Sequence, residues 1–397
     1  MTVFQKIKFG DLYSTPSRNG VSKPSRIRGA GYPMVNMGEI FKYSRIDDSV
    51  DMELVPLSDI EMGNSFLENG DLLFARQSLV LEGAGKCSIF LGNSTKTTFE
   101  SHLIRARLDI NKTESQFYYY YFTSSPGKTK IRSIVNQVAA AGIRGSDLAK
   151  LVVDFPNLPT QTNIASVLSA YDDLIENNER RIKALEEIAQ LLYTEWFVKF
   201  KFPGHEKVKM IESGTEYGMV PEGWEVTTFG NTLDIKYGKT LPTSKISEVE
   251  KYEVYGAGGI IGYYNQKNVD TKTALITCRG NGSGTVWRTF GEGFVTNNSF
   301  TVNSKNKRVA FEFVYSCLKG CNIAGSISGS AQPQITIENI NFVKYILPPV
   351  EFIVAFVNKA KQLYELSDDL LKQNQNLSKT RDLLIPQLVT GRRELKQ

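Results

Sequence analysis

Asp147-Leu148-Ala149-Lys150-Leu151-Val152-Val153-Asp154-Phe155-Pro156 and Asn339-Ile340-Asn341-Phe342-Val343-Lys344-Tyr345-Ile346-Leu347-Pro348-Pro349 are the stretches that decide the fold. Each ends a Gly-rich segment of short strand-like runs, closes on proline, and opens a long heptad pattern. The patterns predict one helix from about Thr160 to Phe197 and a second from about Glu351 to Ile385. The chain is therefore written twice, as head and long helix, head and long helix. Such an order suggests two reading heads held apart by a spacer. A ruler suits an object with a repeat of its own, and duplex nucleic acid has one.

Along the first helix Ile164, Leu168, Tyr171, Ile175, Asn178, Ile182, Leu185, Ala189, Leu192 and Trp196 advance in steps of four and three. In the second the same stepping runs through Ile353, Phe356, Ala360, Leu363, Ser367, Leu370, Asn374, Leu377, Arg381 and Leu384. This spacing keeps a seam turned toward a partner helix, and a polar Asn in each seam lowers stability while pinning register. The helices read as antiparallel partners, because the chain must return to build the second head. At 1.5 Å per residue, about 35 residues span about 50 Å, or about 15 base-pair steps. A scaffold or dimerisation device is the alternative use of such a seam. Off the seam, Leu174, Leu191, Phe197, Val357, Leu366 and Leu383 are apolar residues able to cover a partner protein, or to join helix to head.

At 397 residues the chain suits two domains plus connecting helices. Its 41% hydrophobic and 22% charged residues place it among globular chains. Forty-seven Lys and Arg against forty-two Asp and Glu leave +5, a mild excess that permits a polyanion partner without demanding one. Met1 to Lys6 carries no apolar leader, and no apolar run approaches membrane-spanning length, so a cytoplasmic chain without a membrane partner is expected. Cys87, Cys278, Cys317 and Cys321 are unevenly spaced. Cys317 and Cys321 close a short helix ending at Gly320 and read as packing residues. The only histidines, His102 and His205, lie far from them, so no metal site is expected.

The first head shows strand-like runs at 32–35, 71–75 and 102–108, which favour an antiparallel or mixed sheet over βαβ units. Phe117 to Phe122 is six aromatic residues long. It is a candidate base-stacking platform, but reads better as a short element with one side in the core. The second head is denser in glycine, through Gly256–Gly262 and Gly280–Gly284, which sets tight turns and lets backbone approach a ligand. Arg76 and Arg279 each follow a strand-like run at the start of a loop, where an arginine reaches guanine or grips phosphate. Lys86, Arg105, Lys239, Asn281 and Gln332 are further donors near turns or strand ends; the bland alternative for each is a solvated surface residue.

Enzymatic motifs fail together. Gly83-Ala84-Gly85-Lys86-Cys87 lacks the leading glycine of a phosphate-binding loop, and Cys87 stands where Ser or Thr is needed. Gly280, Gly282 and Gly284 lack dinucleotide spacing. Neither a nuclease constellation nor a nucleophile with its base is evident, so no catalytic residue is assigned.

Trp196-Phe197-Val198-Lys199-Phe200 with Phe202-Pro203-Gly204, Pro221-Glu222-Gly223-Trp224, Tyr255-Gly256 through Gly262-Tyr263, Gln332-Pro333-Gln334-Ile335, and Leu384-Ile385-Pro386-Gln387-Leu388 with Gly391-Arg392 together resemble the specificity subunit of type I restriction-modification systems. The resemblance spans nearly the whole chain and is weakest in the first head, where only Gly70 to Arg76 carries it. It implies an α+β protein with two mixed α/β target-recognition domains separated by two long antiparallel conserved helices forming a coiled-coil spacer. The expected divisions are a first recognition domain at 1–159, a central helix at 160–197, a polar linker at 198–221, a second recognition domain at 222–349, and a distal helix and tail at 350–397. It further implies recognition of a bipartite, asymmetric double-stranded DNA target without catalysis. Two adenine-N6 methyltransferase subunits and the endonuclease/translocase subunits would be the protein partners. S-adenosylmethionine, ATP and Mg would be held by those partners and no cofactor by this chain. The competing readings are a protein–protein adaptor and a DNA-binding regulator acting without methyltransferases.

Overall fold

The computed structural model describes residues 4–137, 141–329 and 332–395. The chain forms two compact units, one of residues 1–176 with 374–397, the other of 177–373. The two long helices, Leu158–Tyr193 and Val350–Val389, each contribute to both.

In the first unit a five-stranded sheet has the order Tyr13–Asn19, Leu103–Leu108, Leu72–Ala75, Cys87–Phe90, Arg45–Ile46. Its last pairing is parallel and the others antiparallel. A smaller sheet sets Tyr32–Val35 between Glu53–Val55 and Thr98–Phe99. The mixed pairing follows from short runs punctuated by turn residues, which leave no room for long crossover helices. Gln5–Lys8 pairs with Val152–Phe155, the strand that leads into the first long helix.

The helix Ser115–Thr123 carries the six aromatic residues, and all six are buried. They are core, not a stacking platform. Tyr118 donates to the Asp154 carbonyl at 3.2 Å, Tyr121 to the Asp154 carboxylate at 3.3 Å and Tyr120 to Asp172 at 2.5 Å. Burial, reinforced by these carboxylates, pushes all three phenols well above their usual range, so they stay neutral donors. Ile164, Leu168, Ile385 and Leu388 share this core, so the start of the first long helix packs antiparallel against the end of the second.

The second unit repeats the plan. Its main sheet runs Leu233–Tyr237, Ser299–Ser304, Ala274–Thr277, Val286–Arg288, and its smaller sheet sets Tyr252–Tyr255 between Ile260–Tyr264 and Gly293–Val295. Glu225–Thr228 pairs with Lys344–Leu347 ahead of the second long helix. The two registers superpose. Leu103 opposite Ala75 matches Ser299 opposite Thr277, and Gln5 opposite Phe155 matches Glu225 opposite Leu347. Tyr120 bonded to Asp172 matches Ser316 bonded to Tyr364 at 2.7 Å, 192 residues further along the long helices. Even a close backbone approach is duplicated. A Cβ at Gly20 would stand 1.9 Å from the Phe99 carbonyl, and one at Gly238 would stand 2.2 Å from the Thr296 carbonyl.

Ala189, Tyr193 and Trp196 share the second core with Ile353, Phe356 and Ala360, again antiparallel. Arg288, 4% exposed, ties helices to head. It donates to Glu186 at 2.7 Å, Asp368 at 3.1 Å, Ser367 at 3.0 Å and Tyr315 at 3.2 Å. The first unit has its own arginine ties to the first long helix, with Arg45 on Asp173 at 2.6 Å and Arg381 on Asp172.

The span 198–221 is more than a polar linker. The first long helix ends in a π turn, Thr194–Val198, followed by Phe200 at φ 58°. That left-handed residue redirects the chain, so that buried Phe202 stacks on Trp224 at 5.0 Å and meets Phe352 at 4.6 Å. Met210–Glu212 and Met219–Pro221 then form a hairpin. Phe202 alone outweighs the polar composition around it, because a buried aromatic ring supplies more burial than any neighbour.

Candidate nucleic-acid interface

In the second unit the strand Ala274–Thr277 runs out into the turn 278–285. Arg279 bridges Gln334, and Gly280 N–H donates to the Pro333 carbonyl at 3.0 Å. Ser283 adds a 2.9 Å bond to the same carbonyl. Gly280 and Gly284 sit at φ 84° and 91°, which lets this turn close. Thr277 donates from its hydroxyl to the Ala257 carbonyl, tying in the turn 256–259. Lys239 bridges Thr296 on the neighbouring connection. The structure thus brings Gln332, distant in sequence, to the end of the sheet that carries Arg279 and Asn281, and all three are exposed. Among the described residues, the Arg279 guanidinium has no hydrogen-bond or ion-pair partner, so its donors are available to a ligand. Exposed Lys239 lies on the same strand-end level.

In the first unit Arg76 is exposed at the end of Leu72–Ala75. Its N–H donates to the His102 carbonyl and its carbonyl accepts from Ile143 N–H, both at 2.8 Å. Gln77–Ser78 pairs with Ala141–Gly142. Lys86 is half-buried, donating to the Phe41 carbonyl at 2.7 Å over that residue's ring. Burial, with Lys128 nearby, lowers its pKa. Arg105 departs from its expected placement. It is 5% exposed, donates to Thr15 at 3.3 Å, and its Nε has no partner among the described residues. Alternation along Leu103–Leu108 sets Arg105 on the same face as Arg107, which pairs with Asp71 at 2.7 Å. Burial is the first cause of its lowered pKa.

On the helices Ile164, Leu168, Asn178, Trp196, Ala360, Leu370 and Asn374 are buried, and Ile175, Ile182, Leu185, Leu192, Leu363 and Leu377 half-buried. Asn374 donates to the Ile175 carbonyl at 3.1 Å. Of the off-seam residues, Phe197 is buried in the second core and offers a partner nothing. Leu174, Leu191, Leu366 and Leu383 are exposed. The 192-residue repeat relates Leu174 to Leu366 and Leu191 to Leu383, so each unit presents an equivalent pair. The sulfurs of Cys317 and Cys321 lie 3.9 Å apart beside Tyr193. Among the described residues no group of three or more His, Cys, Asp or Glu is placed to hold a metal ion. No described helix is long and apolar enough to cross a membrane.

Two heads of one topology, each with a cluster of polar loops at the strand ends and each packed on the same pair of long helices, define a duplicated, two-headed scaffold. The chain belongs to the type I restriction modification DNA specificity domain family, whose model matches residues 5–187 and 221–377. It is similar to the specificity subunit of type I restriction enzyme MjaIX of Methanocaldococcus jannaschii, 26% identical over 311 residues, covering 70% of this chain and 68% of the relative. It is also similar to the putative MjaX specificity subunit of the same organism, 24% identical over 397 residues, covering 96% and 91%. A crystal structure of the S subunit of a type I restriction-modification system from M. genitalium shares the fold, with a TM-score of 0.58 at 16% identity over 99% of this chain and 97% of that one. As a specificity subunit the chain is a non-catalytic DNA-binding component of a type I restriction-modification system.

Proposed function

We propose that the chain binds duplex DNA at a bipartite, asymmetric target, one half-site per head, and holds two adenine-N6 methyltransferase subunits, with the endonuclease/translocase subunits joining the full assembly. The observation that carries this reading is the duplicated strand register of the two heads within a family of DNA specificity domains. Two equivalent surfaces call for two short sequences, and divergent loops on equivalent strands call for different ones. Arg279, Asn281, Gln332 and Lys239 in the second head, and Arg76 in the first, supply donors for bases and phosphates. The equivalent exposed leucines, Leu174 with Leu366 and Leu191 with Leu383, support two copies of one partner docking on the helices. The helices set the separation of the half-sites. S-adenosylmethionine, ATP and Mg belong to the partners, and the complex works in the cytoplasm. Co-expression with methyltransferase subunits, followed by footprinting on duplex DNA, tests the reading. Two protected short motifs flanking an unread gap, in a complex of one chain with two methyltransferases, are expected. One contiguous motif, or no complex with a folded chain, contradicts it.

A further inference from the structure

We infer that Gln77, not Arg76, is the first head's counterpart of Arg279, and that the two heads read adenine and guanine respectively at this equivalent position. The inference rests on the proposed reading of the heads as DNA-binding surfaces and specifies one residue in each.

Hydrogen bonds assign the equivalence. The Arg76 N–H donates to the His102 carbonyl as the Cys278 N–H donates to the Asn298 carbonyl. The Arg76 carbonyl accepts from Ile143 as the Cys278 carbonyl accepts from Ile335. Gln77 stands opposite Gly142 as Arg279 stands opposite Gln334. The adjoining registers agree, with Val21 against Glu100 matching Lys239 against Thr296. Arg76 therefore corresponds to Cys278, which is wholly buried, whereas Gln77 and Arg279 are both exposed at the first step beyond the main sheet.

The chemistry differs between the two positions. An arginine fork donates to O6 and N7 of guanine, whereas a glutamine amide accepts from N6 and donates to N7 of adenine. Gln77 Nε2 lies 2.9 Å from His102 Nδ1. An imidazole carrying its proton on Nε2 accepts one amide N–H there, which leaves the second N–H and the carbonyl oxygen for the adenine edge. The neighbouring histidine thus orients the amide without using its reading face.

The test is the motif selected from randomised duplex DNA by the full chain in complex with its methyltransferase subunits, for wild type, Gln77→Arg, Gln77→Ala and Arg279→Gln. Gln77→Arg should turn one adenine of one half-site into guanine, with preference shifting by about 5- to 150-fold. Gln77→Ala should erase preference there, and Arg279→Gln should turn one guanine of the other half-site into adenine. The unaltered half-site reports in each case that the complex is folded. If wild type selects no split motif, the proposed function falls and this inference with it. If wild type selects one and Gln77→Arg leaves it unchanged, the inference alone is overturned. A Gln77→Arg complex that selects neither half-site also overturns it, since an exposed reader should act on one half-site only.

Discussion

Arg279 and Arg105 carry the same guanidinium into opposite settings. Arg279 is exposed with no partner of its own among the described residues, whereas Arg105 is buried against Thr15. The first has its donors ready for a base edge. Arg279→Ala should therefore weaken binding to the cognate half-site by about 1–3 kcal/mol and relax discrimination there. Titration against cognate and single-substituted duplexes checks both; unchanged affinity and preference would remove Arg279 as a reader. Phe202 makes a prediction of another kind. Its ring is buried between Trp224 and Phe352. Phe202→Ala should lower stability by about 3–5 kcal/mol in urea unfolding. A cost under about 1 kcal/mol would show that the 198–221 span packs only loosely. Exposed donors at loop starts were legible in the sequence, as the exposure of Arg279, Asn281 and Gln332 shows. The burial of Arg105 was not, because only pairing with Arg18 and Leu73 on both sides encloses it.

At the scale of elements, heptad stepping exposed both long helices, since a seam needs apolar residues at fixed intervals whatever the heads are. The arginine ties between head and helix were hidden. Arg288 ends the short strand Val286–Arg288, and its partners Glu186 and Asp368 are 102 and 80 residues away in sequence. Removing one partner of a buried pair leaves charge uncompensated, so Arg288→Ala should cost about 3–5 kcal/mol. Burial pushes the Glu186 carboxyl up, but Arg288 and Lys319 outweigh it and the net shift is downward. A carboxylate depressed in the folded state contributes stability above its unfolded value, about 4.3, and that contribution is lost as pH falls through the folded value. Unfolding of wild type and Glu186→Gln between pH 7 and pH 3 should show wild type losing more stability on acidification. Parallel profiles would show that the ion pair contributes no pH dependence. The one-residue offset between Arg76 and Arg279 was equally illegible, because it is set by hydrogen bonds across the sheet.

At the scale of the whole molecule, the proposed function makes the two long helices a ruler between two readers. Inserting four residues between Gln375 and Asn376, both exposed on the second long helix, adds about 6 Å and about 40° beyond a full turn. That length is close to two base-pair steps, over which DNA turns by about 70°, so the head joints must absorb part of the mismatch. Sequencing the motif methylated by the complex built on this variant is the most direct measurement. The same two half-sites with a gap longer by one or two base pairs are expected; altered half-sites across an unchanged gap would show that the helices are not the ruler.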